Sequence, residues 1–151
     1  MITFQVESFK ERLPEFQYLL PSHYEELALN KDKVPLMPCW DLYFALEEQG
    51  KLLFVTAREL GEIVGYYIGF IKPGLHYKTC LTATMDIFYI RKDKRNGRAG
   101  IKLFQFVEKE HKRRGVQRWF VGSKIHADAS PLFKYLKFDP VETFYTKWLG
   151  D

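Results

Sequence analysis

The segment Arg95-Asn96-Gly97-Arg98-Ala99-Gly100 has the composition of a loop that binds a phosphate group. An apolar run typical of a strand precedes it, and an amphipathic helical pattern follows it. Such a loop aims several backbone N–H groups at one point, and the helix N-terminus adds about half a unit of positive charge there. Glycine suits the loop because a side chain would hold a phosphate away from the amides. The segment is neither a Walker loop nor a dinucleotide fingerprint, since Gly-Lys-Ser/Thr and three spaced glycines are both absent.

Asp86 is the second residue whose type and position could carry chemistry. It lies in the apolar run Ala83–Phe88, where a carboxylate is costly to bury unless it is hydrogen-bonded or reached by water. Buried acids with shifted pKa values occur at catalytic sites, but they also tie down loops or basic side chains. The sequence leaves both roles of Asp86 open. The four histidines do not have metal-ligand spacing, so no metal site is predicted.

Positive charge is concentrated around the same loop. The whole chain carries a formal net charge of +4, whereas the segment Arg91–Arg114 alone carries ten Lys or Arg and three Asp or Glu. The rest of the chain is therefore net negative. A basic segment of this kind indicates either a polyanionic ligand, such as nucleic acid or a phosphorylated cofactor, or a solvated helix face.

The elements that must position these residues can be read from periodicity and turn chemistry. A short strand at Ile2–Val6 is followed by helical pieces that prolines divide, and the last of these ends at Gly50. Apolar and β-branched runs on either side of Leu60-Gly61-Glu62 predict a β-hairpin, and Leu81–Ile90 predicts a third strand.

After the loop, an apolar stripe at helical spacing predicts an amphipathic helix that ends near Gly115. The remaining predictions are a strand at Gln117–Ser123, a short helix at Ser130–Lys137 and a final strand at Glu142–Leu149. Strand–helix–strand units beside an antiparallel hairpin predict an α/β (α+β) fold, with a mixed sheet that carries helices on its faces.

Length and composition limit the class of protein. A chain of 151 residues with 46% hydrophobic and 17% aromatic residues has the make-up of one globular domain, predicted to span residues 1–151. No apolar run approaches the ~18 residues of a membrane helix, and the N-terminal residues are not those of a signal peptide. The two cysteines, Cys39 and Cys80, form no metal or redox motif. We therefore expect reduced thiols and a cytoplasmic protein with no membrane partner.

The loop resembles motif A of the GNAT acyltransferases (the N-acetyltransferase superfamily), commonly written Gln/Arg-x-x-Gly-x-Gly/Ala. Arg95 and Gly100 match the first and last positions, and Arg98 stands where the first glycine is expected. The downstream pattern His126-x-x-Ala129-x-x-Leu132-Phe133-x-x-Leu136-x-Phe138 follows the spacing of the family's Asn-x-x-Ala-x-x-Leu-Tyr-x-x-Leu-Gly-Phe segment. The resemblance covers roughly residues 50–149. The sequence also resembles those of small GNAT proteins encoded by phages and prophages.

This resemblance implies a mostly antiparallel central sheet flanked by helices, and acetyl-coenzyme A as co-substrate with no metal. The pyrophosphate would lie on the amides of Gly97 to Gly100, with charge supplied by basic side chains at the rim. The pantetheine arm would run beside the strand end at Phe88–Ile90. The residues expected to bind the cofactor are Phe88, Tyr89, Ile90, Arg95, Asn96, Gly97, Arg98, Ala99, Gly100 and Lys102.

The resemblance also assigns catalytic roles. Asp86 would be the general base that removes a proton from the acceptor amine, and His126 would donate or relay a proton to the leaving thiolate, unless it only hydrogen-bonds a strand end. The family's usual proton donor, a tyrosine, is replaced here by Phe133. Tyr135, Tyr145 and water are the other candidate donors.

The acceptor is predicted as an amine of a protein or a small molecule. Acids in the N-terminal half, Glu25, Glu26 and Asp41, would suit a cationic acceptor. Two rival hypotheses explain the basic segment by contact with nucleic acid. In the first, a non-catalytic GNAT-like protein binds nucleic acid through residues 91–114. In the second, a GNAT-like enzyme modifies a nucleic acid. The glycines favour the acyltransferase, because a helix that binds DNA gains nothing from Gly97 and Gly100 at its start. The sequence does not predict an oligomeric state.

Overall fold

The computed structural model, which describes residues 1–151, contains five strands and five α-helices. The strands are β1 (Thr3–Val6), β2 (Leu52–Glu59), β3 (Glu62–Pro73), β4 (Leu81–Ile90) and β5 (Arg118–Phe120). The helices are α1 (Phe9–Phe16), α2 (Leu20–Leu27), α3 (Trp40–Glu48), α4 (Ala99–Arg113) and α5 (Ser130–Tyr135).

The strands form a single sheet in the order β1-β2-β3-β4-β5. All neighbours are antiparallel except β4 and β5, which are parallel because α4 crosses over between them. The β2–β3 hairpin turns at Leu60 and Gly61, both of which have positive φ angles of 51° and 83°. Two consecutive residues with positive φ match the twist of the flanking strands, which explains why a two-residue turn fits here. The hairpin and the β4 strand are confirmed as predicted.

Two apolar cores lie on opposite faces of this sheet. Alternate residues of β2 point into different cores: Leu53 and Val55 pack on the α4 side, whereas Leu52 and Phe54 pack on the side of α1 to α3. Because both faces are covered, β2 is an unbroken apolar run rather than an alternating one. The architecture is therefore an α+β fold with helices on both faces of a mostly antiparallel sheet.

The predicted final strand at Glu142–Leu149 is wrong. Residues 139–151 form no helix or strand, and all of them are exposed. The side chains that suggested a strand, among them Phe144 and Tyr145, are 84% and 92% exposed. β propensity measures how well a side chain fits a half-buried pleated surface, and no neighbouring strand offers that surface here. The predicted strand at Gln117–Ser123 is present but shorter, spanning Arg118–Phe120.

None of the helices has both the length and the apolar character needed to cross a membrane.

Candidate active site

A cavity opens in the gap between β4 and β5. Pairing between the two strands covers only Thr82–Thr84 on β4 and Arg118–Phe120 on β5. Beyond Thr84 the edge of β4 has no strand partner on that side, and residues Met85–Phe88 line a cavity of about 430 Å³. This volume falls in the range of sites that bind small molecules. The same cavity continues across to α1, α2 and the segment 28–38 on the other side of the sheet edge.

Asp86 is the extra residue of a β-bulge that faces this cavity. Ile87 pairs with Ile68, and Met85 pairs with Gly69, so Asp86 has no partner on β3. Bulges of this kind re-aim a side chain beside an active site. The Asp86 carboxylate is among the groups that line the cavity.

The carboxyl group of Asp86 has one protein partner. Tyr43 of α3 donates a hydrogen bond to Asp86 Oδ2 at 2.5 Å. Burial raises the pKa of Asp86 above its ordinary value, and the Tyr43 hydrogen bond opposes that rise. Burial and the hydrogen bond to Asp86 in turn raise the pKa of Tyr43, so Tyr43 remains a protonated donor at neutral pH. Asp86 is thus a half-buried carboxylate with no cationic partner.

The loop at the end of β4 presents unused backbone donors. The N–H groups from Asn96 to Ile101 have no acceptor within the chain, and the helical ladder starts with the bond from Lys102 N–H to Arg98 O at 2.9 Å. Gly97 has a φ of +72°, a conformation that side chains rarely adopt. A Cβ on Gly100 would meet only the methyl groups of Leu132, at 3.8 Å and 4.0 Å. The arrangement is a cradle of N–H groups at a helix N-terminus, which favours an anion.

Arg95 is engaged inside the fold. Its guanidinium binds the Glu26 carboxylate through two bonds of 2.6 Å and 2.7 Å, and its Nε donates to Ile90 O at 2.6 Å. The guanidinium also lies 5.1 Å from the centre of the Tyr89 ring. Arg95 therefore joins α2 to the loop and the end of β4, and little of its charge is available at the cradle.

Arg98 and Lys102 are the free cations of the cradle. Neither forms an ion pair, and a spacing of four residues places them on the same side of the first turn of α4. Tyr135 of α5 holds Arg98, since its hydroxyl accepts a bond of 2.6 Å from Arg98 Nη2 and its ring lies 5.6 Å from the guanidinium. This contact gives Tyr135 a positioning role at the loop.

Most of the basic segment is neutralised by neighbouring acids. Six of its ten basic side chains form ion pairs, with carboxylates on β2, β3, α2 and within the segment itself. The paired residues are Arg91, Lys94, Arg95, Lys112, Arg113 and Arg114. Glu26, Glu59 and Glu62 lie outside the segment, so in the folded protein they lower its excess of seven positive charges to four.

Not all the predicted site residues lie at the cavity. Phe88 lines it, whereas Tyr89 and Ile90 are buried behind it. His126 is exposed, makes no hydrogen bond and is absent from the cavity wall; its role in proton transfer stays a prediction. Phe133 is a core residue that packs against Phe88 and Phe104.

Sequence reasoning missed His23, which lines the cavity from α2. Its Nδ1 lies 2.6 Å from the hydroxyl of Tyr66, and its ring stacks on Tyr89 at 4.9 Å. Its partners are 43 and 66 residues away in the chain, so no local pattern marks it. The contact of Tyr43 with Asp86 also spans 43 residues, so no local pattern marks it either.

No protein-family model matches the sequence, and no curated protein matches it. Solved structures of the same fold do exist. A ribosomal-protein-alanine N-acetyltransferase from Brucella melitensis biovar Abortus 2308 is similar over 100% of this chain and 99% of its own, with a TM-score of 0.78 and 17% identity. An aminoglycoside acetyltransferase from an uncultured soil metagenomic sample is similar over 99% of both chains, with a TM-score of 0.77 and 17% identity.

A third structure, described as a predicted acetyltransferase with acetyl-CoA from Clostridium acetobutylicum, covers 99% of this chain and 97% of its own, with a TM-score of 0.70 and 16% identity. Likeness at this level over whole chains establishes the fold. The protein has the fold of these acetyltransferase structures, with a five-stranded, mostly antiparallel sheet flanked by helices.

Proposed function

We propose that this protein transfers an acetyl group from acetyl-coenzyme A to a primary amine. The observation that carries the proposal is the arrangement along β4. The unpaired edge of β4 and Asp86 line the same cavity, and the N–H cradle follows the C-terminal end of this strand. Acetyltransferases among the solved structures of this fold, one of them described with acetyl-CoA, support it.

The residues present fit coenzyme A as a ligand. The consecutive free N–H groups from Asn96 to Ile101 suit a pyrophosphate, and the open side of Gly100 lets that group approach the backbone. Arg98 and Lys102 add two unpaired positive charges beside it. The unpaired edge of β4 at Met85–Phe88 offers main-chain groups to the amides of a pantetheine arm.

Acetyl-coenzyme A supplies the acetyl group as a thioester, and the protein must supply a neutral amine beside it. At a reference pKa of about 10.4, only about one lysine-type amine in 2,500 is neutral at pH 7, a handicap of roughly 4.6 kcal/mol. We assign Asp86 the role of general base, which takes the proton as the amine nitrogen forms its bond to the acetyl carbon and the carbon–sulfur bond breaks. Its raised pKa brings it closer to the working range of a base.

The leaving thiolate can take its proton from water. A thiol with a pKa near 8.5 is released unprotonated at pH 7 at a cost of only about 2 kcal/mol. The hydroxyl of Tyr24, which also lines the cavity, is engaged with Val34 O, and Phe133 is a core residue. We therefore propose that no tyrosine hydroxyl serves as a dedicated proton donor.

We propose the cytoplasm as the location of this reaction, or the host cytoplasm if the chain is encoded by a phage. The free state of Cys39 and Cys80 agrees with a reducing compartment.

The test is the binding of coenzyme A, measured by calorimetry on the unmodified protein and on two variants. Gly100→Glu places an anion at the cradle in a position where a side chain meets only Leu132, so the fold is expected to persist. We expect this variant to lose binding at least a hundredfold. Gln105→Glu is the matched control, because it adds the same charge to the exposed side of α4. We expect less than a threefold change in this control.

Absence of coenzyme A binding at millimolar concentration in the unmodified protein would refute the proposal. Equal losses in the two variants would show that binding responds to net charge rather than to the cradle.

A further inference from the structure

The part of the cavity where an acceptor would lie is apolar. It is formed by α1, α2, the start of α3 and the segment 28–38. The side chains that determine its character are aromatic and aliphatic: Phe9, Phe16, Leu20, Leu36, Met37 and Trp40. Burying the apolar part of an acceptor against such a wall is favourable by about 25 cal/mol per Å² of apolar surface removed from water. We call this part of the cavity the acceptor pocket.

The acceptor pocket has a place for one positive charge. Glu25, Glu26 and Asp41 do not line the cavity, although the sequence suggested them as partners of a cationic acceptor. Glu26 is bound by Arg95, and Glu25 lies 3.5 Å from Lys31. Asp86 is the single carboxylate on the wall, and Lys124 adds a positive charge there. Further charges of a polycationic acceptor have no carboxylate partner on this wall, and burying them against it is costly.

His23 gives the acceptor pocket one directional polar group. Tyr66 is completely buried, and its hydroxyl has no partner other than His23 Nδ1. The phenol hydrogen must therefore be donated to Nδ1, because otherwise it would be buried without an acceptor. This bond places the imidazole hydrogen on Nε2, which makes no bond within the chain. Burial lowers the pKa of His23 to about 4, so the ring is neutral at pH 7.

Stacking fixes the direction of that donor. The His23 ring lies almost parallel to the Tyr89 ring, with ring centres 4.9 Å apart and an angle of 19° between the planes. The guanidinium of Arg95 lies 5.1 Å from the centre of the Tyr89 ring. The wall thus carries a neutral N–H donor held in place by the same residues that position the cradle.

We infer that the acceptor is a primary monoamine on an apolar or aromatic body, with a carbonyl or hydroxyl oxygen that accepts a hydrogen bond from His23 Nε2. The inference rests on the proposed acetyl transfer and names its substrate class. The amine lies at Asp86, the body fills the acceptor pocket, and the oxygen meets His23.

The test compares three acceptors by the release of coenzyme A thiol from acetyl-coenzyme A. Phenylalaninamide has the amine, the aromatic body and a carbonyl oxygen; phenethylamine lacks the carbonyl; kanamycin is polar and polycationic. The two aromatic amines differ in basicity, so the ratio of their kcat/KM values is compared between the unmodified protein and a variant that lacks the His23 donor. We expect this ratio to be about fivefold higher in the unmodified protein, the value of one neutral hydrogen bond. Kanamycin is expected to give at least a hundredfold lower kcat/KM than phenylalaninamide.

The variant His23→Leu with Tyr66→Phe removes both members of the hydrogen bond, which leaves no buried group unpaired and preserves the fold. In this double variant the kcat/KM ratio of phenylalaninamide to phenethylamine is expected to fall about fivefold, because only phenylalaninamide has an oxygen that accepts the His23 hydrogen bond. Thermal unfolding of the double variant is measured in parallel to show that it is folded. An unchanged ratio would overturn the role of His23.

The outcomes separate the inference from the proposed function. If coenzyme A does not bind, the proposed function fails and the inference with it. If coenzyme A binds but kanamycin or a peptide with an N-terminal alanine is the better acceptor, the substrate class alone is overturned. Coenzyme A binding without turnover of either aromatic amine overturns the substrate class in the same way.

Discussion

Two influences act on the Asp86 carboxyl in opposite directions. Burial in the cavity wall raises its pKa, and the hydrogen bond from Tyr43 lowers it, with burial the larger of the two. A carboxyl whose folded pKa exceeds its unfolded pKa binds its proton more tightly in the folded state. Its ionised form therefore destabilises the fold. This contribution is absent below the unfolded pKa, grows as the pH rises through the folded pKa and is complete above it.

We expect Asp86→Asn to stabilise the protein at pH 7 while it slows catalysis. The amide removes the buried charge and can still accept the bond from Tyr43, so the melting temperature rises at pH 7 and the gain disappears near pH 3. Loss of a general base lowers turnover by about a hundredfold, and higher pH restores part of it because more amine is already neutral. Melting curves and pH–rate profiles check both effects. A lower melting temperature of the variant at pH 7 would show that the Asp86 carboxylate stabilises the fold, as expected for a structural residue.

Tyr43→Phe is expected to move the acidic limb of the pH–rate profile toward higher pH. The hydroxyl of Tyr43 stabilises ionised Asp86, so its removal raises the pKa of that carboxyl further and a larger fraction is protonated near neutrality. Turnover measured between pH 5 and pH 9 gives the shift. The control is Tyr18→Phe, because Tyr18 is bonded to Glu62 and Ile63 O away from the cavity. The same displacement in both variants would contradict the role assigned to Tyr43.

At the scale of elements, the bulge at Asp86 depends on the close approach of β3 to β4. A Cβ on Gly69 would come within 2.7 Å of Tyr67 Oη and 3.1 Å of Thr84 O. Tyr67 cannot move aside easily, since it is buried and its hydroxyl accepts a bond of 2.9 Å from Trp119 Nε1. A glycine at this position is therefore required by packing between the two strands, and the packing keeps Asp86 aimed at the cavity.

We expect Gly69→Ala to destabilise the protein by about 1–3 kcal/mol, the usual cost of overpacking. Gly122→Ala is the matched control, because an added Cβ there meets nothing within 4 Å, and its effect should stay within about 0.5 kcal/mol. Urea unfolding of both variants measures the difference. Equal free energies of unfolding would mean that β3 and β4 can separate without cost at the bulge.

At the scale of the whole molecule, the fold redistributes the charge that the sequence concentrates. Six of the ten basic side chains in residues 91–114 are bound by acids, several of them from distant parts of the chain such as Glu26, Glu59 and Glu62. The unpaired ones are Lys92, Arg98, Lys102 and Lys109. Tight nucleic-acid binding uses many simultaneous phosphate contacts, and this segment offers four cations that have no acidic partner.

We expect binding of a random DNA duplex to be weaker than about 10⁻⁴ M at physiological salt, the weak limit of non-specific binding. Fluorescence anisotropy over a range of salt concentrations measures it, with coenzyme A binding to the same preparation as the positive control. Micromolar affinity with a steep salt dependence would instead favour the nucleic-acid hypothesis.

The local features of this protein are determined by its sequence. Apolar and β-branched runs bounded by turn residues predict the β2–β3 hairpin and the span of β4, because a strand of apolar residues between turn formers has few other stable conformations. The loop from Arg95 to Gly100 is predicted for the same reason, since glycines at a strand–helix junction act through the backbone alone. The order of these elements predicts a mixed sheet with helices on its faces, and the GNAT-like fold is implied by the resemblance of the two motifs.

What only the tertiary structure decides is which groups meet. Asp86 is hydrogen-bonded to Tyr43 and His23 to Tyr66, each across 43 residues of chain. Arg95 binds Glu26 across 69 residues. The segment Glu142–Leu149 has the residues of a strand and forms none, because a strand exists only where a neighbour pairs with it. Burial and partnership are properties of the packed molecule, so the pKa of Asp86 and the tautomer of His23 are set by contacts that no local pattern encodes.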